Sequence, residues 1–242
     1  MSRRRQAAIR MKIPRRALIA CAFFLIALAA FASPLDNVLA KLEKALALLN
    51  KADAPTSYVI FTTLEISDGG KKTLLSTEVR ERVTLAPGQP THRETLSRKT
   101  VGEVADASSG ASRNSGDEGS GSSWNVVFPV GKDRSSFRFG PERKEGSLIA
   151  LDFTPAASSG ATEGLTKGTL FWDPATELPS RLDAVPVRNP PFTSGLTFSF
   201  TFASAGGTSY PATVSFSAEG GFLFFRRRIQ SVSRITEFSL KP

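Results

Sequence analysis

The chain has 242 residues and a formal charge of +9, from 31 Lys and Arg against 22 Asp and Glu, with one Cys, one His, two Met and 18 Phe. Residues 1–32 hold seven basic side chains and no acid, so residues 33–242 carry only +2 and the basic balance gives no ground for nucleic-acid binding. Both Met (Met1, Met11) and the only Cys (Cys21) lie in that leader, which removes disulfides, Cys nucleophiles, Cys-based metal sites and multi-His metal sites from the remainder.

Residues 17–31, ALIACAFFLIALAAF, form an uninterrupted apolar run directly after Pro14-Arg15-Arg16 and end in the small-x-small pattern Ala30-Phe31-Ala32. A basic stretch, an apolar stretch of about 15 residues and small residues at the exit make a secretory signal. Cleavage is expected after Ala32, with a periplasmic destination. An uncleaved membrane anchor would need about 20 apolar residues. Met11 is an alternative start, Ser2-Arg3-Arg4 is a weak match to a twin-arginine signal, and Leu18-Ile19-Ala20-Cys21 matches a lipobox only by letters.

From Ser33 onward the expectation is a single domain over 33–242. Ser33 is placed to cap a helix, Pro34 suits the first helical position, and Asp36 follows in the first turn. Leu35, Val38, Leu39, Leu42, Leu46 and Leu49 recur at helical spacing, with Lys41, Glu43, Lys44, Asn50 and Lys51 on other faces. This predicts an amphipathic helix over 34–52.

After Pro55 the period drops to two. Strands are predicted at Thr56–Ser67, Thr73–Leu85 and near 91–101, with Asp68-Gly69-Gly70 as a hairpin turn. Residues 106–123, DASSGASRNSGDEGSGSS, contain no aromatic and no aliphatic residue larger than Ala, and are expected to be a disordered loop within the domain. Further strands are predicted at Trp124–Val130, Ser135–Phe139, Ser147–Thr154, Gly168–Asp173, Arg181–Val187, Leu196–Ala203, Ser209–Ala218, Phe222–Arg228 and Ser231–Leu240, with a Gly/Ser/Thr loop at 156–166. Leu196-Thr197-Phe198-Ser199-Phe200-Thr201-Phe202 alternates cleanly, an apolar stripe backed by hydroxyls.

Catalytic signatures are absent. No G-x-S-x-G nucleophile elbow occurs, and any Ser/His/Asp triad would have to use His92, which reads as a surface-strand residue. No Gly-rich phosphate loop appears. Trp172-Asp173-Pro174 reads as a strand ending in a turn, since nothing recurs at a propeller's period. Arg226-Arg227-Arg228 follows Phe222-Leu223-Phe224-Phe225. It reads either as a site for anionic lipid headgroups or, the simpler account, as the basic solvent end of a strand.

Apolar surplus remains: several strands are apolar on both faces while one helix is available to cover a face. A curved antiparallel sheet around an apolar cavity is a usual binder of acyl chains, driven by about 0.8 kcal/mol per buried CH₂. The residues expected to line such a cavity are Tyr58, Ile60, Trp172, Phe198, Phe200 and Phe216. The fold class expected is α+β, with the N-terminal amphipathic helix packed on a strongly curved antiparallel sheet in an open half-barrel.

Gly168-Thr169-Leu170-Phe171-Trp172-Asp173-Pro174-Ala175-Thr176-Glu177-Leu178-Pro179 resembles the "G-x-hydrophobic-W-x-D-x-x-T-x-x-P" stretch of periplasmic outer-membrane lipoprotein-sorting proteins, the LolA-like (and LolB-like) group. Tyr210-Pro211, Gly220-Gly221-Phe222-Leu223-Phe224 and Arg234-Ile235-Thr236-Glu237-Phe238 look like the strands that close such domains. The motif-level resemblance covers residues 168–240. It implies a half-barrel sheet with an apolar cavity and carriage or sensing of acylated lipoproteins, without assigning individual ligand residues.

The function expected is an exported, non-enzymatic carrier of lipid or acylated lipoprotein. Its alternative is a periplasmic protein-interaction or envelope-sensor domain with a self-filled pocket. Expected partners are a lipid or acylated lipoprotein, then the envelope membrane surface or an envelope protein. No cofactor, metal or nucleic acid is expected, and the chain is read as a monomer. A small outer-membrane barrel is disfavoured, because only one or two strands alternate over the length that a membrane span needs.

Overall fold

The computed structural model describes residues 33–49, 56–69, 72–102, 126–157, 164–222 and 225–240. The signal sequence expected over 1–32, the end of the expected helix at 50–52 and the loop expected at 106–123 lie outside the described residues.

Helix α1 spans Pro34–Ala47. Its start is as the sequence dictates: the backbone N–H of Asp36 donates to Ser33 Oγ at 3.2 Å, and Pro34 occupies the first turn. Arg134 pairs with the Asp36 carboxylate; this bond and that from Ser33 hold the Asp36 carboxyl below its ordinary range. Val38, Leu39, Leu42 and Ala45 form the buried stripe, continued by Leu48 just past the helix end.

Ten strands follow: β1 (Thr56–Asp68), β2 (Lys72–Leu85), β3 (His92–Gly102), β4 (Phe137–Glu145), β5 (Leu148–Pro155), β6 (Thr166–Asp173), β7 (Leu178–Pro186), β8 (Thr193–Ala205), β9 (Thr208–Phe222) and β10 (Phe225–Leu240). All belong to one antiparallel sheet in the order β3-β2-β1-β10-β9-β8-β7-β6-β5-β4, so the last strand closes against the first and long-range pairing sits at the centre.

The expected class is corrected here. Strands make up 69% of the described residues, against one 14-residue helix, and the sheet is not closed into a barrel. The chain is a mainly β protein, not an α+β half-barrel. A helix of 14 residues is about 21 Å long. Ten strands span about 43 Å measured across the sheet. One amphipathic helix is therefore a partial cover, not a layer equal to the sheet.

Two local expectations also change. Of the strand expected over Trp124–Val130, residues 124–125 lie outside the described residues; in the remainder Val127 makes an isolated parallel bridge to Leu165, and Gly131–Ser136 form a 3₁₀ turn. The stretches expected as separate strands at 222–228 and 231–240 are one strand from Phe225. Ile229 and Gln230, which read as a break, are held in register by Ile66 and Glu65 on one side and by Ala218 and Ser217 on the other.

The apolar face carries two clusters. The larger joins Val38, Leu39 and Leu42 of α1 to Phe137, Leu151, Phe153, Leu170, Trp172, Leu182, Ala184 and Phe200 from β4 to β8. The smaller joins Leu48 to Tyr58, Val83, Leu85 and Ile235 from β1, β2 and β10. The opposite face carries polar and charged pairs beside the buried Val59, Ala150 and Phe171. Asp152 accepts from Thr169 Oγ1 at 2.7 Å and pairs with Arg143, whose guanidinium, with Thr169, holds the carboxyl below its ordinary range. Asp183 accepts from Ser199 Oγ at 2.6 Å and pairs with Arg181 at 2.9 Å. Arg181 in turn lies 3.9 Å over the Phe171 ring.

Candidate functional site

The six residues expected to line an acyl cavity fall into two groups. Trp172 and Phe200 belong to the larger cluster under α1, Phe198 packs on its margin, and Phe216 meets the Phe198 ring at 5.7 Å. Tyr58 and Ile60 belong with the smaller cluster. The Tyr58 hydroxyl donates to the Leu48 carbonyl at 3.4 Å, and burial pushes its pKa up.

Trp172 is 1% exposed, and its neighbours Leu170 and Leu182 have no accessible surface. Two elements close over this part of the sheet. One is α1. The other is the segment from Val127 to Ser136, where Phe128 sets its ring edge-on against Phe200 at 5.4 Å and Phe198 at 6.3 Å. That segment is fixed at its start by the Thr166 hydroxyl, which donates to the Val127 carbonyl at 2.7 Å. Gly131, at φ +54°, lies so close to the Glu43 carboxylate that a side chain would displace it. Sequence reasoning missed this second cover because its apolar residues, Val127, Phe128 and Val130, fit a strand as well as a loop.

The stretch that resembles lipoprotein-sorting proteins has a definite local task. Asp173 ends β6 and caps the turn that follows, accepting from the Ala175 N–H at 2.9 Å and the Thr176 hydroxyl at 3.0 Å. The turn places Glu177 at φ +52°, where its carboxylate accepts from Asn37 Nδ2 at 3.1 Å, while Lys41 donates to the Thr176 carbonyl at 3.0 Å. The β6–β7 turn thus fastens α1 to the sheet.

The other end of the sheet gathers the β1–β2 turn, the β7–β8 loop and the ends of β9 and β10. A depression of about 510 Å³ is lined there by Phe192, Thr193, Glu219, Gly220 and the triplet Arg226, Arg227 and Arg228. Arg228 pairs with Glu219 at 3.6 Å. Arg226 and Arg227 have no ion-pair partner among the described residues, although Asp68 is opposite Arg227 in register. Phe192 has φ +63°, and its carbonyl accepts from the Gly221 N–H at 2.9 Å. A side chain at Gly220 would approach that carbonyl to 2.6 Å, so the glycine pair allows the loop to close on the strand end.

His92 is exposed at the start of edge strand β3. Among the described residues no group of three His, Cys, Asp or Glu side chains is placed to hold a metal ion. No described helix is long and apolar enough to cross a membrane.

No known family profile and no curated protein matches the chain. Among solved structures, a DUF1329 family protein from Desulfovibrio piger is similar at 11% identity and a TM-score of 0.37, covering 86% of this chain and 92% of that one. MucB in complex with MucA(peri) is similar at 8% identity and a TM-score of 0.21, over 85% of this chain and 99% of that one. The Pseudomonas aeruginosa MucA/MucB complex gives 10% identity, the same TM-score and the same coverage. Similarity at this level assigns no family.

Proposed function

We propose that the chain is an exported, non-enzymatic binding protein of the cell envelope that engages a protein partner from outside the sheet and carries no acyl chain within it. The observation behind this reading is the closure of the apolar face over Trp172 and its neighbours from β4 to β8. α1 and Phe128 occupy the space above Phe153, Leu170, Trp172 and Phe200 that a ligand would need. The leader argues for export, with its basic start, apolar run and Ala30-Phe31-Ala32 exit. The single exposed imidazole, on an edge strand, argues against an acid–base site.

The half-buried Phe198, Phe202 and Phe216 support a second reading, in which lipid or an acylated lipoprotein enters beside the helix. A fluorescent fatty acid or lipopeptide titrated into the purified protein separates the two. The binding-protein reading expects no saturable uptake, together with retention of an envelope protein by the ligand-free chain. Saturable uptake that is lost in Phe198→Asp and Phe216→Asp would favour the carrier.

A further inference from the structure

Among the described residues only three large apolar side chains are exposed: Phe192 at 70%, Val101 at 59% and Val187 at 37%. All three lie at one end of the sheet. Val101 is next to last in β3 and opposite Ser76 near the start of β2, while Val187 and Phe192 bound the β7–β8 loop. The same end holds Lys72, Arg188, Arg226, Arg227 and Arg228 against Asp68 and Glu219. Phe192 combines exposure with a left-handed backbone conformation that is strained for a bulky side chain. Here the Pro190-Pro191 pair and the Gly221 N–H hold Phe192 in that state.

Arginine guanidinium groups match phosphate oxygens, and an aromatic ring beside them enters the headgroup layer of a bilayer. A site for a free small anion would have no use for an exposed ring. We infer that this end of the sheet docks on the surface of an anionic phospholipid bilayer. Arg226 and Arg227 meet lipid phosphates and Phe192 inserts at the interface. Arg226 is suited to this because its register partner is Gly221 and the adjoining β1–β2 turn presents Gly69, so no side chain covers it from either neighbour. Arg228 stays tied to Glu219 and positions the strand end.

The test is co-sedimentation of the protein, purified from the periplasm of an expressing cell, with vesicles of phosphatidylglycerol mixed with phosphatidylcholine and of phosphatidylcholine alone. Binding is expected for the anionic vesicles only. It should vanish at about 1 M salt, where the screening length falls to about 3 Å. Arg226→Gln with Arg227→Gln should weaken it about twenty-five-fold, at roughly fivefold per cation near the surface. Phe192→Asn should weaken it about tenfold through lost apolar contact. That variant should melt no lower than the parent, because Asn tolerates positive φ. Equal binding to neutral vesicles, no binding to anionic ones, or binding by the parent that ignores salt would overturn the inference. The parent's own salt dependence holds whether or not a variant folds.

Discussion

Trp172→Ala is expected to destabilise the fold by about 3–5 kcal/mol, the usual cost of emptying a large buried aromatic site. For a chain of this size that is a drop in Tm of roughly 10 °C. The indole is 1% exposed and enclosed by α1 and by strands from β4 to β8, so its removal leaves a void with little freedom to collapse. Chemical denaturation of the variant against the parent reads this directly. A residue lining an open acyl cavity would behave otherwise: its truncation would reduce ligand uptake and leave the midpoint nearly unchanged. Phe198, half-buried at the margin of the same cluster, provides the internal comparison and should cost less than Trp172 on truncation.

Gly168→Ala is expected to cost about 3 kcal/mol or more, through overpacking against atoms that cannot move aside. Gly168 is paired with Phe153 on β5 and Ala184 on β7. A Cβ there would run into the backbone carbonyl of Asp183 and come within 2.9 Å of the Ala184 Cα. Both obstacles are main chain, so relief requires β6 and β7 to part. The control is Gly195→Ala on β8, where a Cβ meets nothing within 4 Å and φ is unexceptional. That variant should melt within about 1 kcal/mol of the parent. Denaturation midpoints of the two side by side separate a packing effect from a general intolerance of glycine substitution.

The helix start was legible because capping is local chemistry: Ser33, Pro34 and Asp36 state it within four residues. The strands from β5 to β9 were legible from period-two alternation, of which Leu196 to Phe202 is the clearest case. The fold class was not. Which elements form a layer depends on how many strands share one sheet, and pairing between Thr56–Asp68 and Phe225–Leu240 leaves no local signature. The continuity of β10 was hidden for the same reason, since Ile229 and Gln230 are strand only through their neighbours.

The candidate cavity residues were recognised as apolar strand positions, but whether such positions face a ligand or the chain's own cover depends on segments remote in sequence. Phe128 is the example. Nothing near Trp124–Val130 announces that its ring will meet β8. At the basic end, the triplet Arg226-Arg227-Arg228 was visible and read either as a site for anionic lipid headgroups or, as the simpler account, as the basic solvent end of a strand. The missed signal was Phe192 directly after Pro190-Pro191, an aromatic that a rigid loop cannot fold inward.

Native mass spectrometry of the protein purified from the periplasm of an expressing cell reads whether α1 and the Val127–Ser136 segment close the apolar face over Trp172. Closure predicts the mass of the bare polypeptide for the Arg226→Gln, Arg227→Gln variant, which lacks the surface phosphate contacts, unchanged after incubation with phospholipid in detergent. A mass matching a phospholipid or an acylated species in stoichiometric amount, retained in that variant, would contradict it. The space under α1 would then be a cavity that the helix vacates for a ligand.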